Sequence, residues 1–171
     1  DVTVLLRAWT GCEAMGVRLR DGADFPYFET QGFPEEHVQL ENRLCALDEA
    51  GEMVRDSEGN PVLECMCGNV LCGRFDPSLP FFTEFGSFWT DSTSELLAST
   101  DEADRLARTR NRCRGEGYES VALVPLRHEG AIHGLLQLND SRKHAFSANT
   151  IRTVERLADH LAAGLRQREE T

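Results

Sequence analysis

No stretch of this 171-residue sequence approaches the roughly 18 consecutive apolar residues of a membrane-spanning helix, and no basic start followed by an apolar run resembles a secretion signal. A soluble, cytoplasmic chain is expected. Positive charge is scarce: 18 Lys and Arg stand against 29 Asp and Glu, a formal net charge of −11. Duplex DNA and anionic membrane surfaces draw most of their affinity from basic patches, so neither is an expected partner. Catalytic signatures are thin as well. There is no phosphate loop, dinucleotide fingerprint or Ser-His-Asp order. His37, His128, His133, His144 and His160 lack ligand spacing and read as surface or packing residues, while Glu35, Glu36, Asp48, Glu49 and Glu52 form no catalytic pair.

What is present suits one domain spanning residues 1–171, since 40% hydrophobic residues can bury a core at this length. The chain opens at Asp1 in an apolar segment and stops at Thr171 in a polar helix, as expected of a piece excised from a longer protein. Met15, Val17 and Leu19 alternate with Gly16, Arg18 and Arg20, the period of a half-buried strand, and Asp21-Gly22 supplies the turn of a hairpin. Pro34 with Glu35 and Glu36 predicts a helix start, running to about Cys45. Residues 46–60 read as a surface loop. Ser92 and Glu95 match a capping box, and a further short helix is expected near Asp101–Asn111.

Ser120–Leu126 and Ala131–Leu138 form the most hydrophobic hairpin, joined by Arg127-His128-Glu129-Gly130. Ile151, Val154, Ala158, Leu161 and Leu165 then mark one face of a long helix, widened by Leu157 and Ala162, at a spacing that also serves as a heptad seam. Hairpins with helices segregated to one side predict an α+β domain built on an antiparallel sheet.

Two constellations carry candidate chemistry. Phe81, Phe82, Phe85, Phe88 and Trp89 crowd nine positions, and with Phe25, Tyr27 and Phe28 they either line a largely apolar ligand pocket or fill the core. Phe82, Phe88 and Trp89, together with Arg112 and Ser120, are the candidate ligand-binding residues. The second constellation is Cys65-x-Cys67-x4-Cys72. If Cys65 and Cys67 lie in an extended strand they share a side, and Gly68 and Gly73 would let the backbone bring Cys72 back to them. Three thiols, with Cys113 as a fourth, would then hold zinc or an iron-sulfur cluster. The alternative is that these cysteines simply pack.

Cys113 sits among Arg105, Arg108, Arg110, Arg112 and Arg114. Guanidinium groups lower a thiol's pKa and raise its reactivity, but a solvated basic segment answering the acidic remainder of the chain is the commoner reading of such arginines, and a grip for an anionic ligand is a third.

The ending "SVALVPLRHEGAIHGLLQLNDSRKHAFSANTIRTVERLADHLAAGL" resembles the last two strands, polar crossover and closing helix of the GAF domain family, and "GNVLCG" (Gly68–Gly73) resembles the segment bordering that family's ligand pocket. More narrowly, "GVRLRDGADFPYFETQGFPEEHV", "LECMCGNVLCG" and "TRNRCRGEGYESVALVPL" resemble a Cys-rich bacterial subgroup found beside PAS and histidine-kinase domains. The resemblance implies a central antiparallel sheet, with a ligand pocket on one face and helices from both termini on the other. It also implies a homodimer formed through those helices, which pass a small-molecule signal to an attached kinase or PAS domain. The free methionine-(R)-sulfoxide reductases are a second resemblance, in which Cys113 would be the attacking thiol and Cys72 the resolving one. The same pair would serve a regulatory disulfide equally well.

Overall fold

A computed structural model of the chain describes residues 2–59, 63, 65–101 and 117–170, with side chains for all of these except Val2, Cys65 and 165–170. In chain order the elements are α1 (Val2–Thr10), β1 (Ala14–Leu19), β2 (Tyr27–Gln31), α2 (Glu35–Glu41), α3 (Cys65–Leu71), β3 (Phe88–Thr90), α4 (Thr93–Ser99), β4 (Ser120–His128), β5 (Ala131–Asp140) and α5 (Ala148–Glu170). The helix expected near Asp101–Asn111 lies outside the described residues.

The five strands form one antiparallel sheet in the order β2-β1-β5-β4-β3. The expected α+β architecture is therefore present. β4 and β5 are the most apolar strands because they sit inside the sheet with both faces covered, so burial runs unbroken from Ser120 to Leu126 and from Gly134 to Asp140. Their connection is tighter than the sequence suggests. β4 continues to His128 past a register shift at Leu126/Arg127, leaving only Glu129 and Gly130 as the loop.

Pleating sends alternate residues to two different cores. On one face Met15, Ala122, Val124, Leu126, Leu136 and Leu138 meet Leu6 of α1 and Ile151, Val154, Ala158 and Ala162 of α5. The predicted stripe of the last helix is thus its buried face, although Leu157 is exposed and Leu165 lies beyond the described side chains. On the other face Ala14, Val121, Leu123, Leu135 and Phe88 pack under Phe25, Leu44, Leu63, Phe81, Phe82 and α3.

Pro125 needs explaining, since it lies in an interior strand opposite Leu135 of β5. A hydrogen-bonded antiparallel pair would require its N–H, so Pro125 occupies a non-hydrogen-bonded position with its backbone nitrogen turned away from β5. On that outer side β3 pairs only with Val121–Leu123 and stops short of it.

α3 overturns the expectation of a strand through Cys65 and Cys67. Every residue from Met66 to Leu71 is buried, an unbroken run in place of the alternation a half-buried strand would show, and the segment is helical. Gly68 lets this helix approach Leu63, because a Cβ there would lie 2.6 Å from the Leu63 carbonyl oxygen. Gly73 ends it with φ +70°, the Arg74 amide donating to Asn69 O (2.8 Å) and the Gly73 amide to Val70 O (3.2 Å) in a Schellman motif. At the start of α4 half of the expected capping box forms. The Glu95 amide donates to Ser92 Oγ (3.2 Å), whereas the Ser92 amide donates to Thr90 Oγ1 (3.2 Å).

Candidate functional site

On the sheet face away from α1 and α5, three polar side chains are buried in the central strands: Arg18 of β1, and Gln137 and Asn139 of β5. Register places them in one row, with Ala14 opposite Asn139, Gly16 opposite Gln137 and Arg18 opposite Leu135. Burying an amide without replacing its hydrogen bonds to water costs on the order of 1–3 kcal/mol by mutational measures, and burying an unpaired cation costs far more. A chain of bonds meets part of that cost. Tyr27 Oη donates to Gln137 Oε1 (2.6 Å), and Gln137 Nε2 donates to Asn139 Oδ1 (3.3 Å).

Gly16 opens the space for this contact, since a Cβ there would come within 2.9 Å of the Tyr27 ring. The other side of the row is aromatic. Phe33 stacks on buried His37 at 4.9 Å, and Tyr118 meets both rings edge-on at 5.7 and 6.1 Å.

Arg18 is almost fully buried, at 1% exposure. Its guanidinium lies 3.8 Å over the Tyr27 ring and donates to Phe25 O (2.9 Å), Asn42 O (3.2 Å) and Glu41 O (2.6 Å). The last two carbonyls end α2, so the cation faces the negative end of that helix and ties it to the sheet. Among the described residues no carboxylate is among its acceptors, and its Nε makes no hydrogen bond. The strand alternation placed Arg18 on a polar face; instead, both faces of β1 are covered.

The candidate ligand-binding residues are divided by the pleat. Phe82 and Phe88 pack with Phe81 in the core beside the polar row, ring centroids 4.9–6.2 Å apart. Trp89, one residue on, packs on the opposite face with α5. Ser120 is buried in a structural role, donating to Arg142 O (2.7 Å) and accepting from the Ala145 amide (3.0 Å). Arg112 lies outside the described residues, as does Cys113. Arg18, Gln137 and Asn139 were missed. Two amides at i and i+2 on the inward face of the most apolar hairpin are the signal that could have found the latter pair.

Cys65 and Cys67 lie in a helix and not in an extended strand, so the strand spacing on which the expectation of a shared metal rested is absent. Among the described residues no group of three His, Cys, Asp or Glu side chains is arranged to hold a metal ion. Cys12, Cys45 and Cys67 are buried and Cys72 is exposed. Burial, followed by the neighbouring Asp24 carboxylate, pushes the Cys45 thiol up to about 11. Burial also raises Cys12.

Both the fold and the sequence can be set beside known proteins. The family model described as GAF domain matches residues 47–166. The chain belongs to the GAF domain family. Residues ahead of that match supply α1, β1, β2 and α2, completing the sheet and contributing Arg18 to the polar row. Among solved structures, a GAF domain/HD domain protein from Geobacter sulfurreducens superposes with a TM-score of 0.64 at 16% identity, covering 99% of this chain and 90% of that one. A domain assigned to a two-component sensor histidine kinase protein from Sinorhizobium meliloti 1021 gives 0.60 at 13%, covering 98% and 88%. The type II free methionine-R-sulfoxide reductase from Thermoplasma acidophilum gives 0.57 at 13%, covering 95% and 85%. At these identities the likeness is one of fold. No curated protein sequence matches the chain. Among the described residues no helix of this GAF domain is long and apolar enough to cross a membrane.

Proposed function

We propose that this GAF domain is the sensory module of a bacterial signalling protein: it binds a small ligand on the polar row and passes the event through α1 and α5 to an attached output domain, a histidine kinase or PAS module. The observation that carries this reading is Arg18, a buried cation whose Nε–H has no acceptor among the described residues, set in a row of buried amides and aromatic rings. A ligand oxygen would complete the guanidinium's hydrogen bonding.

Thermal-shift screening against small carboxylates, nucleotides and amino acids tests it. A ligand present at 100 times its Kd adds about 2.7 kcal/mol, a rise of roughly 5–10 °C for a domain of this size. That rise is expected to vanish in Gln137→Leu. The proposal fails if no compound stabilises the protein, or if every hit binds the variant equally well.

The output arm of the reading rests on a second observation. Leu5, Leu6, Trp9, Leu157, His160 and Leu161 line a groove of about 470 Å³ between α1 and α5, and Leu5 and Trp9 are 68% and 56% exposed. A second copy of the domain packed there would bury these side chains and align the two α5 helices. Sedimentation analysis is expected to show a dimer that Trp9→Glu converts to monomer.

A thiol function is the second reading, favoured by Cys72, which is exposed at the end of α3. Paired with Cys113 it would act either as a redox sensor or in turnover of free methionine sulfoxide. The metal site of Cys65, Cys67, Cys72 and Cys113 belongs to the same reading. Metal analysis after anaerobic purification, and reductase assays of Cys72→Ser and Cys113→Ser, separate these functions. Metal-free protein, inert to mild oxidant and to methionine sulfoxide, overturns all three.

A further inference from the structure

Residues 81–89 fold back on themselves beside the polar row. The Trp89 amide donates to Phe81 O (3.0 Å), and Phe82 and Phe88 pair across the strands. The tip is closed by the Thr83 amide on Ser87 O (2.9 Å) and the Ser87 amide on Thr83 Oγ1 (3.1 Å). Its stalk roots Phe81, Phe82 and Phe88 in the core on the site face. The tip grips the helix on the other face, where Thr83 Oγ1 and Ser87 Oγ both donate to Glu155 Oε2, each at 2.7 Å.

Glu155 is buried on α5, and its bonds are charge-assisted, so breaking one leaves a buried carboxylate short of a donor. The placement is specific. Each gripping hydroxyl is the immediate neighbour of a core phenylalanine, Thr83 of Phe82 and Ser87 of Phe88. A displacement of either ring is therefore carried one residue along the backbone to a group holding α5. The hairpin's backbone connection to the sheet is short, β3 pairing with β4 over three residues while β4 and β5 pair over nine, so its place depends mainly on side chains.

We infer that Glu155 is the positioning residue through which repacking of the site face reaches α5, by way of the Thr83 and Ser87 hydroxyls. The inference rests on the proposed role of that face and supplies its route of regulation.

Hydrogen–deuterium exchange on the intact chain tests it without any ligand, so its outcome is independent of whether the polar row binds one. Phe82→Leu loosens the far end of the hairpin. The readout is exchange in the first turns of α5 relative to β5, which corrects for global opening. Phe82→Leu is expected to raise this ratio about three- to tenfold, and to leave it unchanged when Thr83→Val and Ser87→Ala are also present. Should the triple variant fail to fold, Ser87→Ala alone is expected to reduce the response. Glu155→Gln, which keeps an acceptor oxygen, is expected to restore part of what Glu155→Ala removes. An equal rise with and without the hydroxyls, or no rise at all, overturns the inference.

Discussion

Replacing Gly16 by alanine sets two effects of opposite sign against each other. In a strand interior glycine is worse than alanine by roughly 0.5–1 kcal/mol, so Gly16→Ala gains that much if nothing else changes. The new Cβ, however, would lie 2.9 Å from Tyr27 Cε1 and 3.2 Å from Cδ1. Carbon pairs prefer about 3.5–4.0 Å, so the ring must retreat by several tenths of an ångström or more.

A free tyrosine could move, but this one is held at two points, by Arg18 stacked 3.8 Å away and by the 2.6 Å bond to Gln137. Loss of a buried hydrogen bond costs about 1–3 kcal/mol, and loss of a desolvated cation–π contact about 0.5–2 kcal/mol. Sterics therefore win, with a net destabilisation of about 1–3 kcal/mol, or roughly 3–10 °C in Tm at this size. Urea titration of Gly16→Ala, Tyr27→Leu and the double variant supplies the check. With the ring gone, Gly16→Ala is expected to become neutral or mildly stabilising, giving a coupling of at least about 1 kcal/mol. Stabilisation by Gly16→Ala with Tyr27 intact would refute the idea that the ring is pinned.

Gly68→Ala poses the same contest against backbone, which cannot rotate away. A helix-propensity gain near 1 kcal/mol is expected to be outweighed by displacement of α3 from Leu63, a net loss of about 1–2 kcal/mol measured by chemical denaturation. Acid is expected to destabilise the fold through two carboxyls. Asp140 is held below the ordinary carboxylate range first by hydrogen bonds from Arg142, and at Asp24 the amides of Phe25, Leu44 and Cys45 overcome a burial effect of opposite sign. A depressed folded pKa means stability that is present at neutral pH and drains away as pH falls below the ordinary carboxylate value and through the folded one; Asp140→Asn should flatten that part of a urea-midpoint profile. Of Cys12, Cys45, Cys67 and Cys72, only Cys72 is expected to react with a thiol-specific chromogen in native protein near pH 8; labelling of Cys45 at a comparable rate would contradict its burial and raised pKa.

How far the sequence could be read depended on whether a local period controlled the outcome. The stripe from Ile151 to Ala162 and the apolar runs of β4 and β5 are periodic over many residues, and both became what their periods imply. The stretch from Cys65 to Leu71 is too short for that. Alternate cysteines suggested a strand, but every residue from Met66 to Leu71 is buried and Gly73 fits a helix end, so tertiary burial and the cap settled the matter. Arg18 was illegible for a different reason. Its acceptors, the carbonyls of residues 25, 41 and 42, exist only once β1 and α2 have met, and an arginine bonded to backbone leaves no partner to find in the sequence. The aromatic cluster was visible as composition, but adjacent residues point to opposite faces of a strand, and that divided Phe88 from Trp89.

Pro125 bears on what the sheet does among other molecules. Exposed strand edges invite further strands, and a run of free amides is what an incoming chain zips onto. Beyond Leu123, where β3 no longer pairs, the outward backbone nitrogen of β4 belongs to Pro125 and has no proton to offer. Any strand that tried to extend the sheet there would lose a rung at once. A sheet-to-sheet join between two copies along this stretch would therefore be one hydrogen bond weaker than along an ordinary strand.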